Sequence, residues 1–111
     1  MAHHDIVIDQ FGTADTLKLR EIAPRAPGDD EVAIAVAYSG INFADIQMRL
    51  GFYPDAPKKP FVPGYEVSGK VTAVGRNVIG VKPGDDVVAG TYFGGYASHV
   101  TIPARQATSA A

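Results

Sequence analysis

The chain has 111 residues, 46% of them apolar and 20% charged, the size and balance of a single globular domain with one modest core. A net charge of −2 with scattered Lys and Arg excludes the basic footprint of a nucleic-acid binder. No apolar run approaches the ~20 residues that a membrane-spanning helix needs. There is no cysteine, which excludes disulfides, thiolate catalysis and every zinc site built on sulfur. With no signal peptide in view, a cytoplasmic protein is expected. Met1-Ala2-His3-His4 reads as a tag remnant or as native sequence, and His3-His4 are expected to be disordered.

Ile6-Val7-Ile8 begins a strand, and Phe11-Gly12-Thr13 turns out of it. Residues 16–22 alternate, with Leu17 and Leu19 on one face and Lys18 and Arg20 on the other. Pro24, Pro27 and Gly28 mark a loop. The clearest strand runs from Glu31 to Tyr38, where Val32, Ile34, Val36 and Tyr38 share one face and three alanines share the other. A short helix is expected over about 43–50: Asn42 is its N-cap candidate, Asp45 lies in the first turn, Phe43, Ile46 and Leu50 follow helical spacing, and Gly51 suits the C′ position.

Pro54, Pro57, Pro60 and Pro63 make residues 52–64 an extended loop. A second long strand spans Glu66 to Val74, a short one Asp86 to Ala89, and a last one Tyr96 to Ile102, where Pro103 stops it. Gly75 and Gly84 stand where the chain reverses, positions at which glycine takes φ > 0 without cost. Residues 104–111 carry no core signal and are expected to fray. Strands at regular spacing with one short helix define a mainly β fold, a small barrel or sandwich.

Three segments carry a family resemblance over about residues 5–104. They are Gly40-Ile41-Asn42-Phe43-Ala44-Asp45 with Arg49-Leu50-Gly51-Phe52-Tyr53-Pro54, then Pro60-Phe61-Val62-Pro63-Gly64-Tyr65-Glu66-Val67-Ser68-Gly69, then Val81-Lys82-Pro83-Gly84-Asp85-Asp86-Val87-Val88 with Gly94-Gly95-Tyr96-Ala97-Ser98. In this order they resemble the N-terminal, GroES-like catalytic domain of medium-chain dehydrogenases and reductases, in the zinc-independent, zeta-crystallin-like quinone oxidoreductase branch. Pro-Gly-Tyr-Glu is similar to the synaptic-vesicle-protein relatives of that branch. The resemblance implies a partly open β-barrel with one or two short helices. It also implies residues 105–111 as a frayed tail or the start of a linker to a Rossmann-type domain outside this chain.

The alcohol dehydrogenases of the superfamily bind zinc through a Cys and a His, at positions that resemble Asn42 or Phe43 and Tyr65 here. Neither Asn nor Phe is a strong zinc ligand and Tyr is a rare one, so no metal is expected. His99 is expected to face solvent. No Gly-x-Gly pair occurs, so the dinucleotide fingerprint is missing. By resemblance NADPH serves the complete protein, and tight binding to this chain alone is not expected.

What the resemblance leaves is half an active site. Asn42, Asp45 and Tyr53 match positions that line the nicotinamide and substrate cleft, with Asn42 and Asp45 on the cofactor side. Asn42 would orient a carboxamide or quinone oxygen, and Tyr53 would donate to a developing enolate or quinol oxygen. Gln47 departs from the pattern, in which Tyr occurs. Each residue has a structural alternative: Asn42 as a helix cap, Asp45 as a first-turn acid, Tyr53 as packing. Glu66 reads as a structural residue whose partner could be Arg49.

The implied function is the substrate-side domain of an NADPH-dependent oxidoreductase acting on quinones or α,β-unsaturated carbonyls, inactive alone. The alternatives are a stand-alone, non-catalytic GroES-like binding module and, on the glycine-turn segments, a co-chaperonin. An uncovered apolar face would also favour self-association.

Overall fold

The structure is a computed structural model. It describes residues 3–51, 59–91 and 93–110, with the backbone alone for 43, 44 and 48. A hairpin of β1 (His3–Ile8) and β2 (Leu17–Ile22) forms one sheet. β3 (Glu31–Ser39), β4 (Glu66–Val74), β5 (Asp86–Gly90), β6 (His99–Pro103) and β7 (Ala107–Ser109) form the other, in the order β6-β3-β4-β5-β7 with every pair antiparallel. The helix α1 (Phe43–Leu50) coincides with the stretch its spacing predicts. The architecture is mainly β and the five-stranded sheet does not close, as a partly open GroES-like barrel requires.

Period-two alternation builds the main core. Val32 and Ile34 of β3 pack with Val67 and Val71 of β4, Val87 and Ala89 of β5, and Val100 and Ile102 of β6. Tyr38 departs from its predicted face: it is 77% exposed. The β3–β4 register shifts between Val36 and Tyr38, and an extra residue in one strand turns the following side chain to the opposite face.

Other expectations also change. β1 begins at His3, so His3-His4 belong to the sheet. His99 is half-buried rather than solvent-facing and stacks on His3, with ring centroids 3.6 Å apart. Burial, then the neighbouring His3, holds its imidazolium below the usual histidine range. The last long strand starts at His99, three residues later than the pattern suggests, because the bonds of residues 96–98 are divided among the hairpin, the loop before β4 and β3. Residues 107–109 pair with β5, so they are part of the sheet where fraying was expected. Gly84 takes a positive φ of 95°, whereas Gly75 does not. Gly75 is needed for space: a Cβ there would overlap the carbonyl oxygens of Gly28 and Asp29.

The hairpin is fastened to the rest of the fold and is braced internally. Ile8 and Phe61 exchange backbone bonds of 2.8 and 3.0 Å and form a second apolar cluster with Leu17, Tyr65 and Phe93 around them. Asp5, which is buried, accepts two bonds of 2.9 and 2.8 Å from Arg20 across the β1–β2 pair. The Asp5 carboxylate in turn keeps the Arg20 guanidinium charged beyond its usual range. Arg20→Ala would strand a buried carboxylate, and a loss of about 2 kcal/mol in urea unfolding is expected. A loss below a few tenths would mean that solvent, rather than Arg20, satisfies Asp5.

Candidate functional site

The site forms where the N-terminus of α1 meets the segment before β6. Asp45 is the third residue of the helix, so its carboxylate can reach back to an amide that has no intrahelical acceptor. It does so: the Asn42 backbone N–H donates to Asp45 Oδ2 at 2.9 Å, and the Asp45 N–H donates to the Asn42 carbonyl at 3.0 Å. The acid therefore takes part in capping the helix. The structural role foreseen for Asp45 is present, but it engages only one of the two carboxylate oxygens.

A residue that sequence reasoning passed over completes the arrangement. Tyr96, in the quoted Gly-Gly-Tyr-Ala stretch, donates its hydroxyl to the same Asp45 Oδ2 at 2.9 Å. Burial first, and then the carboxylate that accepts its proton, holds the Tyr96 phenol above the usual tyrosine range, with nearby Arg49 opposing. Nothing local marks Tyr96. Its partner lies 51 residues away, and only the weak cue of a polar aromatic between a glycine pair and a strand pointed to it.

Asp45 is 4% exposed, and its Oδ1 has no hydrogen-bond partner among the described residues. A buried acceptor of this kind is rare in a folded protein and calls for an explanation. Asp45, Arg49 and Tyr96 are the polar groups of a cavity of about 230 Å³ walled by Leu17, Ile41, Ile46 and Pro63. Leu17, Ile41 and Tyr96 also border a larger apolar trough of about 520 Å³, into which the hairpin contributes Ile6 and Leu19. Asn42 is half-buried beside these hollows, joined to Asp45 through its backbone. Tyr53 lies outside the described residues. Glu66 is exposed and does not pair with Arg49, whose Nε donates to the Gly12 carbonyl at 3.2 Å. Tyr65 packs edge-on against Phe93, with centroids 5.7 Å apart. No group of three or more His, Cys, Asp or Glu converges on a common point among the described residues. No helix among them is long and apolar enough to cross a membrane.

An open antiparallel β barrel with a short helix beside an apolar cleft is the architecture of a GroES-like domain. The chain belongs to the alcohol dehydrogenase GroES-like domain family, whose pattern matches residues 28–111, and to its quinone oxidoreductase branch. It is 40% identical over 103 residues to the synaptic vesicle membrane protein VAT-1 homolog of Rattus norvegicus, covering 91% of this chain and 26% of that protein. It is 44% identical over 77 residues to quinone oxidoreductase-like protein 2 of Mus musculus, covering 69% of this chain and 22% of the relative. The crystal structure of the Escherichia coli quinone oxidoreductase complexed with NADPH superposes with a TM-score of 0.89 at 34% identity, over 96% of this chain and 32% of that one. The chain thus spans about a quarter of the length of the curated relatives it matches.

The raised phenol gives a signed prediction. The native state holds the Tyr96 proton more tightly than the unfolded chain, so the stability it contributes is complete below the ordinary phenol value of ~10 and is lost as pH rises above it. Asp45→Asn should bring the phenol down, seen as a lower alkaline midpoint in near-ultraviolet phenolate absorbance, with Tyr96→Phe as the blank. An unmoved midpoint would break the link between the two side chains.

Proposed function

We propose that this chain forms the substrate-side wall of the active-site cleft in an NADPH-dependent, zinc-independent reductase of quinones or α,β-unsaturated carbonyls. The observation that carries the reading is the buried Asp45 carboxylate beside the cavity, held by two donors on Oδ2 while Oδ1 has no hydrogen-bond partner among the described residues. The residues at the positions where zinc enzymes carry ligands, Asn42 or Phe43 and Tyr65, favour a metal-free site.

When bound, the reduced nicotinamide supplies the hydride. The chain's own part is orientation and charge control. Hydride addition to a quinone or enone leaves negative charge on oxygen, which a positioned donor must meet. Asn42 is the proposed group that orients the accepting oxygen, and Tyr53 the proposed donor to it; the assignment of Tyr53 rests on the family resemblance. The trough bordered by Ile6, Leu17, Leu19 and Ile41 offers apolar surface to the body of a substrate or to a partner.

The proposed partner is a Rossmann-type nucleotide-binding domain, which would supply most of the cofactor contacts, and the proposed setting is the cytoplasm. Leu19 and Ile41 are 73% and 78% exposed, which supports such a contact and, in its place, self-association.

The test is a chimera in which this chain replaces the matching first domain of the Escherichia coli quinone oxidoreductase. It should consume NADPH with a quinone, while this chain alone should turn over none. Asn42→Ala in the chimera should lower kcat/KM by about ten-fold or more. A folded chimera that binds NADPH but reduces neither a quinone nor an enone would overturn the reading.

A further inference from the structure

Resting on that reading, we propose that the substrate carries a hydrocarbon tail, which lies in the trough under the hairpin while its carbonyl head stands at Asn42. The trough holds about 520 Å³, a volume in the range of small-molecule sites, and Ile6, Leu17, Leu19 and Ile41 line it. Leu17, Ile41 and Tyr96 also border the cavity of about 230 Å³ at the helix start, so the two hollows adjoin. Ile41 precedes Asn42 in the chain, which places the trough beside the group proposed to orient the carbonyl.

The polar groups of the trough decide what fits it. Five polar side chains border it, and four of them already have protein partners. The Ser39 hydroxyl donates to the Gly95 carbonyl and the Tyr96 hydroxyl to Asp45. Asp5 accepts both bonds from Arg20, and the Ser98 hydroxyl accepts from the His4 N–H and meets His99 Nδ1. The backbone is paired as well, with the Ile6 N–H on the Tyr96 carbonyl and the Ser98 N–H on the His4 carbonyl. Among the described residues only the His4 ring is left to meet a polar group. A peptide laid here would therefore leave its own N–H and C=O groups unpaired, at a cost its side chains must offset. A hydrocarbon chain brings no such groups and gains with every methylene taken out of water. Leu19 and Ile41, both exposed without it, are the side chains that such a tail covers. The substrate class is thus an enone or quinone bearing an alkyl or isoprenoid chain, rather than a bare ring.

The probes are trans-3-alken-2-ones with methyl, butyl, hexyl and octyl tails, titrated into the isotope-labelled chain and followed in two-dimensional amide NMR spectra. The chain has no cysteine to add to them. Affinity should rise about two- to four-fold per methylene and level off once the trough is filled, with the shifts centred on residues 6, 17, 19 and 41. In Leu19→Gln and in Ile41→Gln the octyl-to-methyl affinity ratio should fall about five-fold or more. Ile79→Gln, a like exchange at a 92% exposed residue away from the trough, should leave that ratio unchanged. The ratio is taken within each variant, so a general loss of affinity cancels, and Leu19→Gln carries the test if Ile41→Gln does not fold. A branched isoprenoid tail of equal carbon number separates the two sources of such chains: tighter binding of either supports the trough and names its source. Affinity that ignores tail length, or a rise with length that all three variants share, would overturn the tail site. Signals of residues 19 and 41 that move with protein concentration and not with the octyl probe would overturn it in favour of a second copy of the chain. A chimera that reduces a quinone, beside a chain blind to tail length, would remove this inference and leave the proposed reductase standing. Tail-dependent binding beside an inactive chimera would do the reverse.

Discussion

The stretch from Gly95 to Ser98 must satisfy hydrogen bonds to both sheets at once, and the rest of the molecule is arranged around that demand. Toward the hairpin, the Ile6 N–H donates to the Tyr96 carbonyl and the Ser98 N–H to the His4 carbonyl, each at 2.8 Å. Toward the large sheet, the Val36 N–H donates to the Ser98 carbonyl at 2.8 Å and the Ser39 hydroxyl to the Gly95 carbonyl at 2.6 Å. Toward the loop before β4, Gly95 and Tyr96 donate to Gly64 and Pro63 at 3.1 and 2.9 Å. Buried backbone groups left unpaired are costly, so a segment shared among three neighbours fixes all three. Close approach is a condition of it: a Cβ on Gly64 would press into the backbone of Gly95 and Tyr96.

This crossing segment delivers Tyr96 to Asp45. One buried carboxylate beside a cavity then links the start of the helix to the segment before β6 through two hydrogen bonds. A helix of eight residues has little stability of its own, and capping from inside the chain helps define where it begins. The acid thus serves as a structural cap through Oδ2, while Oδ1 is buried without a hydrogen-bond partner among the described residues.

The distribution of apolar surface fits a wall rather than a closed container. The core of the five-stranded sheet is sealed by valines and isoleucines. The hairpin, which joins the rest mainly through Ile8, Phe61 and the backbone bonds of residues 96–98, leaves Leu19 outward and an apolar trough beneath it. An isolated two-stranded hairpin is marginal in water, and its fastening by Asp5–Arg20 compensates in part.

The sequence by itself determined most of the strands and the bounds of α1, because period-two alternation and helical spacing are local signals, while the family came from the resemblance of three motif segments. It also placed Asn42 and Asp45 together, since they stand three positions apart along one helix start. Only the tertiary structure decided that Tyr38 points outward, through a bulge whose cause lies in the pairing with β4. It alone decided that residues 107–109 join β5, and that His99 stacks on His3. Tyr96 belongs with these. The helix start and the segment before β6 are far apart in the chain, and their meeting depends on backbone pairing across two sheets, which no spacing of residues within either segment records.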